Sequence, residues 1–400
     1  MNFLKKEIAL GVLLCLSLTG QANKRTILSL INDRLAKAEI LSMNMARSLE
    51  NDSLLLPKTF EGGKLITSDS RWWCSGFFPG VLWYLYENNR NNLELKKMAL
   101  KYTKRVENQK YTTDNHDIGF IIFCSFGNGL RIDQTPGYRE VILQASESLS
   151  KRYRDHMQLI RSWDWNREVW QYPVIIDNMM NLEILMWAAK HSDNKKFEEI
   201  ALNHADKTMR NHFRSNYSCY HLVDYDTITA QARLKQTVQG FSDSSSWARG
   251  QAWALYGYTM MYRETGLSKF LTQAENIAQF IVNHPRLPKD KIPYWDFDAP
   301  NIPSALRDAS AGAIMASAFI ELSQLTKDKK LSKRILKTAE QQIISLSSDQ
   351  YFAKTGTNGN FILKHSVGSL PGKTEVDVPL TYADYYYVEA LLRYKKLLST

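Results

Sequence analysis

The sequence contains few of the residues that interrupt or cross-link a chain. Its 400 residues include 4 Cys, 19 Gly and 11 Pro, which excludes collagen-like, linker-rich and disordered chains. Cys74, Cys124 and Cys219 show no CxxC spacing, so we expect neither a disulfide framework nor a zinc site. We expect these three side chains to be small, buried and apolar, with a single disulfide as the alternative.

The common catalytic motifs are missing as well. The chain has no GxGxxG, P-loop, HExxH or GxSxG pattern, so nucleotide, zinc and serine-hydrolase chemistries lack their signatures. Carboxylates, histidines and aromatic side chains remain as candidates for function. Aromatic residues make up 12% of the chain, a high share that favours stacking surfaces for sugars in addition to a core.

The charge balance is basic, with 51 Lys and Arg against 41 Asp and Glu and a formal net charge of +10. A basic surface attracts nucleic acid, membrane headgroups or acidic saccharides. The basic residues are scattered along the chain and form no dense block, so we do not expect nucleic acid as a partner. A solvated basic face without a functional role is the alternative to an acidic saccharide.

The N-terminus has the pattern of a targeting segment. Lys5 and Lys6 precede an apolar run over residues 8–18, and Gly20-Gln21-Ala22 offers a cleavage site, which predicts a signal peptide over residues 1–22. The run is too short to span a membrane, and we expect no membrane insertion. The large residue before Cys15 argues against a lipoprotein anchor. The mature chain, residues 23–400, is therefore expected to be exported and periplasmic.

Hydrophobic periodicity predicts an all-α protein. Helices that are apolar nearly all round, such as Met179–Ala189, alternate with helices that have one charged face, such as Leu93–Val106. Buried helices have the first pattern and helices that face water have the second. About six such pairs imply an inner ring of helices wrapped by an outer ring, which is a single-domain (α/α)6 barrel.

The predicted elements are spread over the whole mature chain. The helices are expected at 28–49, 76–89, 93–107, 115–128, 138–152, 177–191, 194–212, 246–264, 268–283, 308–325, 330–347 and 381–397. Short strands are expected only at places such as Tyr220–Tyr225 and Asn360–Lys364. Long loops in a compact helical protein are usually functional, and those at 50–75, 213–245, 284–307 and 348–380 could form the wall of one mouth of the barrel.

Two aspartates are the candidates for acid–base chemistry. Asp117 and Asp177 each lie at the start of an apolar helix. A helix-capping role is the alternative, because Asp is a preferred N-cap residue. The residues beside each aspartate are apolar, which favours the neutral form of its carboxyl group. Two carboxyl groups that face one cavity could also share a proton. From composition alone either aspartate could be the proton donor.

Arginine, tryptophan and histidine side chains could hold a saccharide. Arg249 and Trp253 share a helix face at i,i+4 spacing and could offer a guanidinium for a carboxylate and an indole for a sugar ring. Trp73 and Trp163 lie beside small residues at helix entries. Stacking inside the core is the alternative for the arginine and the tryptophans. His221 could donate a hydrogen bond, although a lone histidine is more often a core residue.

Several long motifs resemble the unsaturated glucuronyl hydrolases, glycoside hydrolase family 88. The motifs occur in this order: SGFFPG, HDIGF, IIDNMMNLEILMWAA, TVQGFSDSSSWARGQAWALYGY, PYWDFDAP, RDASAGAIMAS and VDVPLTYADYYYVEALLR. The resemblance covers about residues 70 to 397 and implies an (α/α)6 barrel that needs no metal and no cofactor. It also implies hydration of the enol ether of a 4,5-unsaturated uronic acid at the non-reducing end of oligosaccharides made by polysaccharide lyases.

The resemblance assigns roles to individual residues. Asp177 would protonate C4 and then act as the base for water that adds at C5, while Asp117 would bind ring hydroxyls and hold charge. Substrate contacts are implied for Trp73, His116, Trp163, His221, Thr237, Gln239, Arg249 and Trp253. Arg249 would hold the uronate carboxylate. Ser366 and Ser369 match serines that bind sulfated sugars in some relatives, whereas the accompanying lysine is shifted. A second arginine of some relatives is replaced here by Ser244–Ser246.

The expected substrates are unsaturated glycosaminoglycan oligosaccharides. The nearest alternative is an unsaturated rhamnogalacturonyl hydrolase that acts on pectin fragments. Alternatives from other classes are a non-catalytic glycan-binding barrel and a basic protein that binds nucleic acid. Turnover should depend on Asp177, whereas binding without turnover should survive its loss.

Overall fold

A computed structural model describes the backbone of residues 2–399 and the side chains of residues 24–399. The described residues form twelve α-helices: α1 (Asn2–Ser48), α2 (Phe77–Asn88), α3 (Leu93–Arg105), α4 (Asn128–Asp133), α5 (Tyr138–Ser150), α6 (Leu182–His191), α7 (Lys196–Asn211), α8 (Ala248–Thr265), α9 (Ser268–Asn283), α10 (Ala309–Leu325), α11 (Lys329–Leu346) and α12 (Thr381–Ser399). A π-helical segment, Gly119–Gly127, leads into α4, and a 3-10 segment, Ile176–Asn181, leads into α6.

The helices form two concentric rings. The inner ring follows the order α2, the π-helical segment, α6, α8, α10 and α12. Each element contacts the next one, and α12 closes the ring by packing against α2. The outer ring consists of α1, α3, α5, α7, α9 and α11, each packed against an inner neighbour. The expected (α/α)6 barrel is confirmed.

Residue patterns explain which helix lies in which ring. Helix α10 is buried almost all round, including its small residues Ala311, Gly312 and Ala313. Helix α11 buries only one stripe, which includes Leu331 and Ile335, and its other face meets water. Asp308 and Asp328 cap these two helices by accepting backbone N–H groups of the first turn.

Nine short strands decorate the barrel within the described residues: β1 (Leu56–Glu61), β2 (Lys64–Ser68), β3 (Tyr153–Arg154), β4 (Leu159–Ile160), β5 (Pro173–Ile175), β6 (Leu222–Tyr225), β7 (Ala232–Gln236), β8 (Ser366–Ser369) and β9 (Thr374–Val378). They pair antiparallel as β1-β2, β3-β4, β5-β6-β7 and β8-β9. The sequence predicted fewer strands, because two to six residues are too few to show a reliable alternation.

One of the two named strand predictions is confirmed and the other is wrong. Strand β6 lies within the predicted Tyr220–Tyr225. The segment Asn360–Lys364 is not a strand, because the backbone N–H groups of Ile362 and Leu363 donate to the carboxylate of Asp384, at 2.9 and 2.8 Å. The segment pairs with its neighbour only through one isolated antiparallel bridge, between Leu363 and Phe352.

The remaining expectations concern cysteines, the membrane and the leader. Cys74, Cys124 and Cys219 are not disulfide-bonded in the described part of the chain, and Cys124 is only half-buried. No helix in the described part of the chain has both the length and the apolar character needed to cross a bilayer. The predicted signal peptide, residues 1–22, lies outside the residues whose side chains are described, so its cleavage and the start of the mature chain stay predictions.

Candidate active site

A cavity of about 610 Å³ opens at one mouth of the barrel. Its wall is made by the segments that enter the inner helices and by the ends of the short strands. Eight of the twelve predicted site residues line it, namely Trp73, His116, Asp117, Trp163, Asp177, His221, Gln239 and Ser369. Thr237, Arg249, Trp253 and Ser366 are outside this lining.

The two aspartates are brought to the same cavity by a close approach of the segments that follow them. A Cβ atom on Gly119 would lie 2.6 Å from Asn181 Oδ1 and 2.7 Å from Asn181 Cα, so a larger residue does not fit there. The N–H of Phe120 donates to Asn181 Oδ1 at 2.9 Å. The turn after Asp117 therefore packs directly on the turn after Asp177.

Neither aspartate serves as a helix cap. Ile118 and Ile175 occupy the N-cap positions of the two segments, and neither cap position makes a side-chain cap hydrogen bond in the described structure. The Asp117 side chain is 17% exposed and that of Asp177 is 10% exposed. The Oδ2 atom of Asp177 has no hydrogen-bond partner among the described residues. This carboxylate is therefore free to exchange a proton with a bound molecule.

Burial makes both carboxylates weak acids. It raises the pKa of Asp117 to about 7, an effect that the positive charge of Arg152 reduces. It raises the pKa of Asp177 to about 6, with His116 and Arg249 opposing the rise and Asp117 adding to it. The pair can therefore hold a proton near neutral pH, as general acid catalysis requires. These pKa values leave the proton longer on Asp117, so the choice of Asp177 as donor rests on the resemblance.

Two neutral histidines flank the carboxylates. Burial lowers the pKa of His116 to about 4 and that of His221 to about 3. His116 Nε2 lies 3.5 Å from Asp117 Oδ1. The Nδ1 atom of His221 accepts the backbone N–H groups of Val238 and Gln239 at 2.9 and 3.3 Å. At neutral pH both imidazoles are therefore uncharged.

Tryptophans form one wall of the cavity. Trp163 and Trp165 stack with ring centroids 5.0 Å apart and planes 14° apart. Trp170 meets both rings edge-on, at 5.5 and 5.2 Å. Trp73 also lines the cavity and packs against Phe120 in the core, with ring centroids 5.5 Å apart. Flat apolar plates of this kind suit the face of a sugar ring.

Arg249 lies beneath the cavity and is only 1% exposed. Its Nη1 donates to the carbonyl of Val367 at 2.5 Å and its Nη2 to that of Gly368 at 2.7 Å. Nη1 also lies 3.3 Å from the carboxylate of Asp308. The guanidinium therefore fastens strand β8 to the barrel, and the carboxylate-binding role assigned to it stays a prediction.

Three other predicted residues do not line the cavity. Trp253 is fully buried and packs on Phe120, with ring centroids 5.2 Å apart. Ser366 is also fully buried. Thr237 shapes the loop after β7, where its Oγ1 accepts the N–H of Gly240 at 2.7 Å. Their substrate contacts stay predictions as well.

Some cavity residues were not singled out by the sequence. They are Trp72, Asp114, Asn115, Ser162, Asp164, Trp165, Ile175 and Val238. Most are direct neighbours of predicted residues in the chain, and that adjacency was the available signal. Asp164 is fixed by ion pairs with Arg152 at 2.9 Å and Arg161 at 3.1 Å, which no local pattern reveals.

Within the described residues no three His, Cys, Asp or Glu side chains are arranged to hold a metal ion.

Comparisons with known proteins show which proteins this chain is similar to. The sequence profile of Glycosyl Hydrolase Family 88 matches residues 51–391. An unsaturated glucuronyl hydrolase from Formosa agariphila is 47% identical over 330 residues, which are 82% of this chain and 81% of the relative. An unsaturated chondroitin disaccharide hydrolase from Streptococcus agalactiae is 31% identical over 332 residues, 82% of each chain.

Solved structures give the same result. The crystal structure of an unsaturated glucuronyl hydrolase specific for heparin superposes with a TM-score of 0.89 at 43% sequence identity. The match covers 93% of this chain and 98% of that chain.

Proposed function

The chain belongs to glycosyl hydrolase family 88, and we propose that it removes the 4,5-unsaturated uronic acid from the non-reducing end of lyase-generated glycosaminoglycan oligosaccharides. The observation that carries the proposal is the pair of buried carboxylates, Asp117 and Asp177, with raised pKa values at one cavity. A glycan-binding barrel would not require weak acids in that position. The related enzymes support glycosaminoglycan fragments as substrates and do not favour pectin fragments.

In the proposed reaction, protonated Asp177 delivers its proton to C4 of the enol ether, and positive charge develops at C5 and the ring oxygen. Water adds at C5 while the Asp177 carboxylate takes a proton from it, which restores the acid. The hemiketal formed at C5 then opens by breaking its bond to the ring oxygen, which leaves a ketone at C5 and a hemiacetal at C1. The hemiacetal collapses to an aldehyde at C1 by breaking the bond to the glycosidic oxygen, and the neighbouring sugar leaves as an alcohol. Because no nucleophile attacks the anomeric carbon, the separation of the two carboxylates does not predict retention or inversion.

The other cavity residues are given supporting roles. Asp117 would accept hydrogen bonds from ring hydroxyls, and in its ionised form its charge would favour the protonated form of Asp177. The neutral rings of His116 and His221 would offer hydrogen bonds without placing a fixed positive charge beside the acid. Trp73 and Trp163 would stack on the flat unsaturated ring.

The test is a spectrophotometric assay that follows loss of the conjugated enol-ether acid. Unsaturated disaccharides from hyaluronan, chondroitin sulfates, heparin and pectin are compared with the wild-type protein and with Asp177→Asn. We expect decay with glycosaminoglycan disaccharides, and a rate at least about 100-fold lower in Asp177→Asn. Asp155→Asn is the matched control, because that side chain is exposed and its one ion pair among the described residues is with Lys196 on the surface.

Each other outcome has a definite meaning. Decay only with pectin fragments would move the protein to the rhamnogalacturonyl hydrolases. Folded protein that binds the disaccharides without decay would make it a glycan-binding barrel. Equal rates in wild type and Asp177→Asn would remove Asp177 from the chemistry.

We also propose that residues 1–22 are a signal peptide and that the mature enzyme acts in the periplasm, beside the lyases that make its substrates. The basic n-region and apolar run support this, together with the small-residue cleavage site. N-terminal sequencing of protein recovered from the periplasm should begin at Asn23. Protein retained in the cytoplasm with an intact N-terminus would contradict the proposal.

A further inference from the structure

Arg152 is a buried cation that does not line the active-site cavity. Its side chain is 3% exposed. Its Nη1 donates to the carbonyl of Thr113 at 2.6 Å and to Asp164 Oδ2 at 2.9 Å, and its Nε donates to the carbonyl of Arg161 at 2.7 Å. Its Nη2 atom is buried and has no hydrogen-bond partner among the described residues, so part of the guanidinium charge is left without an acceptor.

These contacts of Arg152 join two segments of the cavity wall. One segment is residues 113–117, which ends at Asp117, and the other is residues 161–164, which includes Trp163. The guanidinium lies between them and binds a backbone carbonyl of each. Breaking contacts of a buried ion leaves charged or polar groups unpaired, which is costly. The two segments are therefore held firmly relative to each other.

Ser162 connects the second of these segments to both aspartates. Its carbonyl accepts the N–H of His116 at 3.1 Å. Its N–H donates to the carbonyl of Pro173 at 2.9 Å, and its Oγ accepts the N–H of Ile175 at 3.0 Å. His116 directly precedes one aspartate of the pair, and Ile175 lies two residues before the other. A shift of this wall would therefore move the chain at both carboxylates.

Arg152 also places a positive charge near Asp117. This charge opposes the rise in the pKa of Asp117 that burial causes, so it favours the ionised carboxylate. The nearby ring of His116 is neutral when Asp117 titrates, because burial lowers the pKa of His116 to about 4. The remaining titratable groups of the cavity lining are Asp114, Asp164, Asp177 and His221, and the further arginines that interact with them are Arg71 with Asp114, Arg161 and Arg167 with Asp164, and Arg249 with Asp177.

We propose that Arg152 is a positioning residue, which acts on the reaction through Asp117 and does not touch the substrate. Its hydrogen bonds hold residues 113–117 against residues 161–164, and its charge keeps a share of Asp117 ionised near neutral pH. An ionised Asp117 favours the protonated form of Asp177. This inference rests on the proposed function, in which protonated Asp177 is the donor.

The experiment compares kcat/KM at pH 5 and pH 7 in wild type and Arg152→Gln, with the glycosaminoglycan disaccharide that wild type turns over fastest. Without the cation, Asp117 should keep its proton to higher pH and lose the negative charge that favours protonated Asp177. The charged groups that act most on Asp177 are His116, Arg249 and Asp117, so the indirect effect should dominate and the fall of kcat/KM should begin at lower pH. We expect a loss of about 10-fold at pH 7 and about 3-fold at pH 5.

Two further variants separate charge from structure. Arg152→Lys retains the charge but not the fork of donors, so its loss should be the same at both pH values. Arg154→Gln is the matched control and should have wild-type kinetics, because Arg154 is exposed and donates to the carbonyl groups of Lys151 and Tyr153. An equal loss at both pH values in Arg152→Gln, or no loss, would overturn the proposal. A loss in Arg152→Lys that is larger at pH 7 would overturn the role of the charge.

Asp164→Asn is a second variant in case Arg152→Gln does not fold, since the Asp164 side chain is 35% exposed. It removes the carboxylate paired with Arg152, so more of the positive charge acts on Asp117 and the fall of kcat/KM should move to higher pH. The position of the fall is compared, not the absolute rate. A fall that stays in place or moves to lower pH would overturn the proposal. If wild type turned over no unsaturated disaccharide at either pH, the proposed function itself would fail, which is a distinguishable result.

Discussion

The Nε2 atom of His221 lies 3.7 Å from the Oδ2 atom of Asp177. Because backbone N–H groups donate to Nδ1 on the other side of the ring, the neutral imidazole carries its proton on Nε2. His221 therefore presents an N–H donor to the region of the carboxylate. The same side chain holds the loop after β7, which links the geometry of the loop to that of the acid.

Two substitutions of His221 separate these two roles. Asparagine can keep an acceptor for the N–H groups of Val238 and Gln239 but loses the Nε2 donor, whereas alanine loses both. We expect turnover to fall in both variants. The free energy of unfolding should fall by about 1–3 kcal/mol only in His221→Ala, since buried N–H groups are left unpaired there. Kinetics and urea unfolding measure the two effects, and equal stability of the two variants would contradict the anchoring role.

The rate should depend on pH through the buried carboxylates. Their pKa values are raised, to about 6 for Asp177 and about 7 for Asp117, so the protonated form needed for proton delivery is present below these values. We expect kcat/KM to be high at pH 5 and to fall above about pH 6 to 7. Circular dichroism at each pH provides the control for folding. A rate that stays constant from pH 5 to pH 8 would be inconsistent with a carboxylic acid as donor.

Arg249 should contribute to stability through the carbonyl groups that it binds. Arg249→Met leaves the buried Asp308 carboxylate without its cation and removes the hydrogen bonds to the carbonyl groups of Val367 and Gly368. The free energy of unfolding should therefore fall by about 3 kcal/mol or more. Arg249→Lys retains the charge and one donor group, so its loss should be smaller. Thermal unfolding of both variants tests this expectation. If both variants were as stable as wild type, the hydrogen bonds from Arg249 would not be needed to hold strand β8.

Gly119 should be intolerant of a side chain. Gly119→Ala would place Cβ against the backbone of Asn181 and push the Asp117 segment away from the Asp177 segment, so we expect lower stability and a large loss of activity. Gly312→Ala is the matched control on an inner helix, because its Cβ would meet the flexible end of Ile292 at 3.0 Å. If Gly119→Ala and Gly312→Ala lost equal stability and equal activity, the close contact between the Asp117 and Asp177 segments would not be important.

Helical periodicity predicted the barrel well because each helix is long enough to show which face it buries. Asp117 and Asp177 could be found from their apolar flanks and the family motifs. At Asn360–Lys364 the predicted strand is reduced to one bridge between Leu363 and Phe352, and the N–H groups of Ile362 and Leu363 donate to Asp384, which lies some twenty residues further along the chain. Hydrogen bonds between residues this far apart in the chain cannot be predicted from a local sequence pattern.

The i,i+4 spacing of Arg249 and Trp253 predicted a shared face of helix α8 correctly, since both side chains contact Tyr382 of helix α12. It did not reveal that strand β8 lies across that face and takes up the guanidinium. Trp165 posed the opposite problem, because its sequence context does not distinguish an exposed tryptophan from a buried one. Exposure depends on what the rest of the chain leaves uncovered.

Helix α12 packs between α2 and α10 in the inner ring, so the ring is completed by segments about 300 residues apart in the chain. During synthesis the first five inner helices can pair with their neighbours while the gap between α2 and α10 stays open. Apolar surface on both sides of that gap remains exposed to water until residues 381–399 have left the ribosome. Closure by such distant contacts makes folding slow and leaves the nascent chain dependent on protection from aggregation.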